Sequence, residues 1–161
     1  MVVWRVIRKA HSGQPLSGEG ARLYGGRWNH VRVPIVYTSQ SLSLAVLEYL
    51  VNLSIVDLPD DLFSVRIVIP DSFAQAEIGI DELSNTWRTF PGPEALKDIG
   101  TDWATKRETP LLLVPSVVIP HERNCLINPK HELADKIVVD RVEPFALDER
   151  LVKGRKRARK K

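Results

Sequence analysis

Val33-Pro34-Ile35-Val36-Tyr37-Thr38 is followed, from Ser41 to Asn52, by Ser-Leu-Ser-Leu-Ala-Val-Leu-Glu-Tyr-Leu-Val-Asn. The first run is β-branched and aromatic and reads as a strand, with Pro34 at its start or on an edge. The second reads as a helix that Ser39 or Ser41 can cap. Downstream, Phe63, Val65, Ile67 and Ile69 alternate with Ser64, Arg66 and Val68, the period of another strand, which Pro70 ends. A strand-helix-strand order without strict βαβ alternation predicts a mixed α+β domain with a largely antiparallel sheet.

Outward from that centre, residues 2–7 read as a strand. Residues 11–32 hold Gly13, Gly18, Gly20, Gly25 and Gly26 and read as a long loop, the kind of segment that carries function in compact domains. Residues 71–92 read as irregular, with a short helix at 81–84. Residues 93–107 read as a helix broken near Gly100, with Ala95, Leu96, Ile99 and Trp103 inward. Leu111–Val114 and Val117–Ile119 read as buried strands around Pro115 and Ser116. Residues 124–127 and 137–142 read as the last strands, with a turn at Asn128-Pro129-Lys130-His131 between them.

With 161 residues, 43% hydrophobic and 27% charged, the chain suits one globular domain. The net charge of +3 misleads. Residues 153–161 hold seven of the 23 basic side chains, leaving 16 against 20 acidic ones and a net −4 on the rest. The expected organisation is therefore one domain over 1–150 and a basic, disordered tail over 151–161. No signal-like run or span of ~20 apolar residues is present, so the cytoplasm is expected and a membrane is not. The single cysteine, Cys125, allows no internal disulfide and reads as a packing residue. The four histidines show no metal-ligand spacing, and no metal is expected.

Glu48 is conspicuous. Its helical neighbours at three and four residues are Leu44, Ala45, Val51 and Asn52, so a carboxylate sits in an almost wholly apolar segment. Such a group needs a partner, a raised pKa or a ligand. A structural ion pair or a solvent-facing position would explain it too. In Gly25-Gly26-Arg27-Trp28-Asn29 the glycines permit close backbone approach and the arginine offers a fork that fits phosphate, or simply a solvated turn. The segment is neither a P-loop nor a dinucleotide fingerprint. Tyr37 can stack on a base or fill the core. Ser116 sits between buried strands and needs a polar partner, but it lacks a nucleophile elbow.

Taken in order, Gly25-Gly26-Arg27-Trp28-Asn29, Pro34-Ile35-Val36-Tyr37-Thr38-Ser39 and Ser43-Leu44-Ala45-Val46-Leu47-Glu48-Tyr49-Leu50 closely resemble the N-terminal half of the RES domain, named for its Arg, Glu and Ser. Trp4-Arg5, Gly100-Thr101-Asp102-Trp103, Val114-Pro115-Ser116-Val117 and Asn124-Cys125-Leu126-Ile127-Asn128-Pro129 with His131 extend the resemblance over about residues 2–145.

The resemblance implies a fold similar to ADP-ribosyltransferases and the toxin of a type II toxin–antitoxin system. Such a toxin cleaves the nicotinamide–ribose bond of NAD, a substrate rather than a cofactor, and arrests growth. It also implies a cognate antitoxin of Xre-like helix-turn-helix type that occludes the cleft, with a homodimer as a further expectation. The catalytic residues would be Arg27, Glu48, Tyr37 and Ser116. Arg27, Trp28, Tyr37, Ser39 and Asn124 would contact NAD. The acceptor, whether water, phosphate or a protein side chain, is not fixed by any residue; simple NAD depletion is the expectation, with ADP-ribosylation of a protein target the alternative. Two other classes are weighed: a nucleic-acid-binding or RNA-cleaving protein using the basic tail, and a non-catalytic interaction module. Under the toxin reading, nucleic acid is met only through the antitoxin.

Overall fold

A computed structural model describes residues 1–53, 59–148 and 150–153. Seven strands form one sheet in the order β4-β5-β6-β2-β1-β3-β7. They are β1 (Val2–Arg8), β2 (Val36–Ser39), β3 (Leu62–Val68), β4 (Gln75–Glu77), β5 (Leu111–Pro115), β6 (Arg123–Ile127) and β7 (Val138–Pro144). Only the β4–β5 pairing is parallel. The helices are α1 (Glu19–Tyr24), α2 (Leu42–Val51), α3 (Glu94–Lys106) and α4 (Arg150–Lys153). The expected mixed, largely antiparallel domain is what forms.

Strand alternation gives the sheet two apolar faces. Val3, Ile7, Val36, Val65, Ile67, Leu113, Cys125 and Ile127 build one core. The opposite face is covered in two parts. Over β1, Val6 packs with Ala45, Val46 and Leu50 of α2. Over β5 and β6, Leu112, Val114 and Leu126 pack with Trp28, Trp87 and the α3 residues Leu96 and Trp103. The register runs from α3's patch towards α2's: Val114 lies opposite Asn124, Asn124 opposite Ser39, and Ser39 opposite Trp4. Directly paired residues share a face. Ser39 and Asn124 therefore stand on the same face as α2 and α3, between the two covers.

Four local expectations are corrected. The 11–32 loop contains α1, whose Arg22 pairs with Glu19 at 2.6 Å one turn back; the flanking glycines hide this turn. Helix α3 runs through Gly100 without a break, and its buried side is Leu96, Gly100, Trp103 and Ala104, with Ala95 exposed. Val117–Ile119 is not a strand but a turn, because the N–H groups of Val118 and Ile119 donate to Ser116 Oγ at 3.1 and 2.9 Å. Residues 71–92 contain β4 and a 3-10 turn at Ile80–Glu82 rather than a helix at 81–84. The tail expected from 151 begins in the turn of α4; residues 154–161 lie outside the described residues. No helix among the described residues is long and apolar enough to cross a membrane.

Candidate active site

Helix α2 starts where Ser41, extended at φ −135°, accepts the Leu44 N–H at 3.1 Å. That cap sets the helix phase. Leu44, Ala45, Val46 and Leu50 turn inward and Glu48 stays half-buried at the boundary. Its Oε1 accepts hydrogen bonds from Ser116 Oγ at 2.7 Å and Asn124 Nδ2 at 2.6 Å. The carboxylate is thus held by two neutral donors, from the turn after β5 and from β6. Among the described residues it has no ion pair.

Ser116 is fully buried. Its hydroxyl oxygen already receives two backbone N–H groups, so its own proton has one destination, Glu48. Behind Asn124, the buried Ser39 donates to Asn124 Oδ1 at 2.7 Å. Four of the residues singled out from the sequence, Ser39, Glu48, Ser116 and Asn124, form one connected chain of hydrogen bonds.

Arg27 comes from the glycine-rich segment. Gly25 takes φ 71°, and a Cβ on Gly26 would stand 2.5 Å from the Tyr37 hydroxyl and 2.8 Å from Asn29 Oδ1. Only glycine lets this backbone close on Tyr37. The Tyr37 hydroxyl accepts the Trp28 N–H at 3.0 Å and donates to Asn29 Oδ1 at 2.7 Å. Asn29 is fully buried, and its amide donates to the carbonyls of Ala21, His30 and Val33 at 2.9 to 3.0 Å. Helix α3 clamps the same segment from outside. Thr101 Oγ1 accepts the His30 N–H at 3.0 Å, and any Cβ on Gly100 would overlap the Trp28 carbonyl.

The Arg27 guanidinium donates to the carbonyls of Trp87 at 2.9 Å and Thr89 at 3.2 Å. Of its five N–H groups, Nε–H and one on Nη2 have no partner among the described residues. Burial lowers its pKa from the usual value, opposed by the nearby Glu48 carboxylate and, where it ionises, the Tyr37 phenol. Burial raises the Tyr37 pKa in turn, opposed by the Trp28 N–H and by Arg27. The Arg27 segment thus adjoins Tyr37 through the Trp28 N–H, and the Glu48 charge acts on the Arg27 guanidinium.

The remaining expected contact departs from this picture. The Trp28 ring is 2% exposed and belongs to the core under α3; only its backbone reaches the site. Asn29, Gly100 and Thr101 were not singled out as functional, although each stands inside a quoted motif. The carbonyls of Trp87 and Thr89 had no signal at all, since a backbone acceptor leaves no mark in residue type. Among the described residues no group of three or more His, Cys, Asp or Glu side chains is placed to hold a metal ion.

A carboxylate held by a buried serine and an asparagine on the sheet face between the two covers, with a guanidinium whose charge it feels, defines a polar centre in an otherwise apolar layer. The family profile described as the RES domain matches residues 2–148, and the chain belongs to that family. It is 40% identical over 154 residues to the Prs ADP-ribosylating toxin of Sphingobium sp. (strain YBL2), covering 93% of this chain and 96% of that protein. It is 36% identical over 159 residues to the Toxin Res of Photorhabdus laumondii, covering 97% and 100%. A chain in the crystal structure of the M. tuberculosis MbcT–MbcA toxin–antitoxin complex shares the fold. The TM-score is 0.71 at 18% identity, over 95% of this chain and 87% of that one.

Proposed function

We propose that this chain is the toxin of a toxin–antitoxin pair and that it breaks the nicotinamide–ribose bond of NAD, using NAD as substrate and no cofactor. The observation that carries this is the Glu48 carboxylate, fixed through one oxygen by Ser116 and Asn124 and near enough to Arg27 for their charges to act on each other. Cleavage sends the C1′–N1 electron pair to the nicotinamide ring, which leaves neutral because its nitrogen was already cationic. The ribosyl carbon becomes oxocarbenium-like, as in glycoside hydrolysis. A pre-positioned carboxylate facing that charge, and accepting from the ribose hydroxyls, stabilises the transition state without reorganising. Arg27, with two donors still unused, takes the diphosphate. An acceptor then bonds to C1′ and gives up its proton.

The name of the Sphingobium relative favours a protein side chain as acceptor; net NAD depletion by water or phosphate is the alternative. The partner is an antitoxin of helix-turn-helix type that covers the cleft. The test is nicotinamide release from NAD by purified protein. Glu48→Gln, which keeps shape and removes charge, should lower the rate by at least about a hundredfold while the fold persists. A Glu48→Gln protein as fast as the parent would sink the assignment.

A further inference from the structure

We infer that Asn124, held by Ser39, is a positioning residue that sets the rotation of the Glu48 carboxylate, so that Oε1 is used up inside the protein and Oε2 alone meets the substrate. The inference rests on the reading of Glu48 given above. The terminal torsion of a glutamate is broad and selects no orientation by itself. Here two donors from different elements converge on the same oxygen, at 2.6 and 2.7 Å, and Oε2 receives none among the described residues. The Ser116 proton is committed by the two N–H groups behind it. The Asn124 amide is committed as well. Turned over, it would set its oxygen against a carboxylate oxygen at 2.6 Å and lose the Ser39 proton from Oδ1.

Register makes the arrangement rigid. Ser39 and Asn124 are direct cross-strand partners of β2 and β6, so no loop motion separates them. The consequence is an asymmetric carboxylate. Oε1 has its acceptor positions taken by two neutral donors, and Oε2 keeps its acceptor capacity for the ribose and its developing cation. Asn124 and Ser39 act through Glu48 rather than by touching NAD.

The experiment is steady-state nicotinamide release by the full chain, with circular dichroism and thermal melting as fold controls. Asn124→Ala should lower kcat by about 10- to 100-fold, with KM for NAD changed by less than about threefold. Ser39→Ala should give a smaller loss of kcat in the same direction. Asn124→Asp gives a signature that a structural role would not produce. The new carboxyl shares a proton with Glu48, and that proton is held more tightly than usual. Of the ionisable groups nearby, Arg27 and Tyr37 interact on the Glu48 side, Glu122 reaches Ser41 at the start of α2, and Arg123 points to the other face onto Glu77; only Glu48 among them hydrogen-bonds the Asn124 side chain, whose other partner is the Ser39 hydroxyl. While one proton is kept, the new carboxyl donates to Oε1 and the geometry survives; once it is lost, the two charges repel. Activity of Asn124→Asp should therefore rise as pH falls through the raised pKa, relative to the parent at each pH.

Parent-like kcat in Asn124→Ala would overturn the inference. So would a rise in KM at unchanged kcat, which marks direct substrate contact, or a parent-like pH profile in Asn124→Asp. If Asn124→Ala melts at the assay temperature, the Asn124→Asp profile decides alone. A parent protein that releases no nicotinamide with any acceptor refutes the functional reading instead. In that case a crystal structure of Asn124→Ala still decides the positioning, by whether Glu48 keeps or leaves its contact with Ser116.

Discussion

The two ends of the site are built from different material. Glu48 stands on a capped helix, and its donors stand on β6 and on the turn that closes β5, placed by helix phase and strand register. Arg27 stands on an irregular segment whose shape is held by side chain-to-backbone bonds: Asn29 to three carbonyls, Tyr37 to the Trp28 N–H, Thr101 to the His30 N–H. The first end inherits its geometry from regular structure. The second must be assembled one polar contact at a time, and each contact is a single point of failure. Damage to the Arg27 end should therefore cost stability and substrate affinity together, and damage to the Glu48 end should cost turnover with the fold nearly intact.

The sharpest way to break this contrast is Gly100→Ala. The added Cβ would overlap the Trp28 carbonyl, stand 2.9 Å from its carbon and 3.0 Å from its Cβ, atoms fixed by the backbone rather than the far end of a flexible side chain. Overpacking of this kind is expected to cost about 3 kcal/mol. Denaturant unfolding should show that loss, and NAD affinity should fall with it. An unaltered midpoint would mean that α3 does not clamp the Arg27 segment. Next in size, Asn29→Ala removes one donor from each of the carbonyls of Ala21, His30 and Val33, leaves Val33 without that bond while Ala21 and His30 keep the N–H groups of Gly25 and Val33, and takes the acceptor from the Tyr37 hydroxyl. About 2 kcal/mol of stability should be lost, with KM rising more than kcat falls.

Ser116→Ala probes the other end. It removes one of two donors to Oε1 and leaves the N–H groups of Val118 and Ile119, on a half-exposed turn, to solvent. Turnover should fall about tenfold, equivalent to 1.4 kcal/mol, with KM little changed. If Ser116→Ala raised KM and spared kcat, the division between the ends would be drawn in the wrong place.

The same division governed what could be read from the sequence. Alternation showed β3, β-branched and aromatic content showed β2, and a capped apolar run showed α2. Glu48 was conspicuous because a charge broke that run. The Arg27 end was visible only as a motif. Asn29 is as buried as any core residue, but an asparagine carries no sign of burial. Strand β4 pairs along Gln75-Ala76-Glu77, whose residues give no apolar signal. Val117–Ile119 misled in the opposite sense: an apolar run takes up a turn because a buried hydroxyl, not a neighbouring strand, satisfies its N–H groups. Hydrophobic period reports elements that bury area, and it is blind to segments held by polar side chains.

The smallest expected effect belongs to Arg27→Lys. The lysine keeps the positive charge, and one of the two carbonyls, Trp87 or Thr89, remains within reach of an ammonium. What disappears is the planar fork, which now donates to two carbonyls and leaves Nε–H and an Nη2 proton for a diphosphate. Because Arg27 contributes donors to the segment's stability only at its rim, unfolding should barely change. The charge that Glu48 feels is also conserved, so kcat should hold. KM for NAD should rise about fivefold, the loss of roughly 1 kcal/mol of charge-assisted hydrogen bonding. A fall in kcat at constant KM would place Arg27 beside the reacting bond rather than on the diphosphate, and would join the two ends of the site into one.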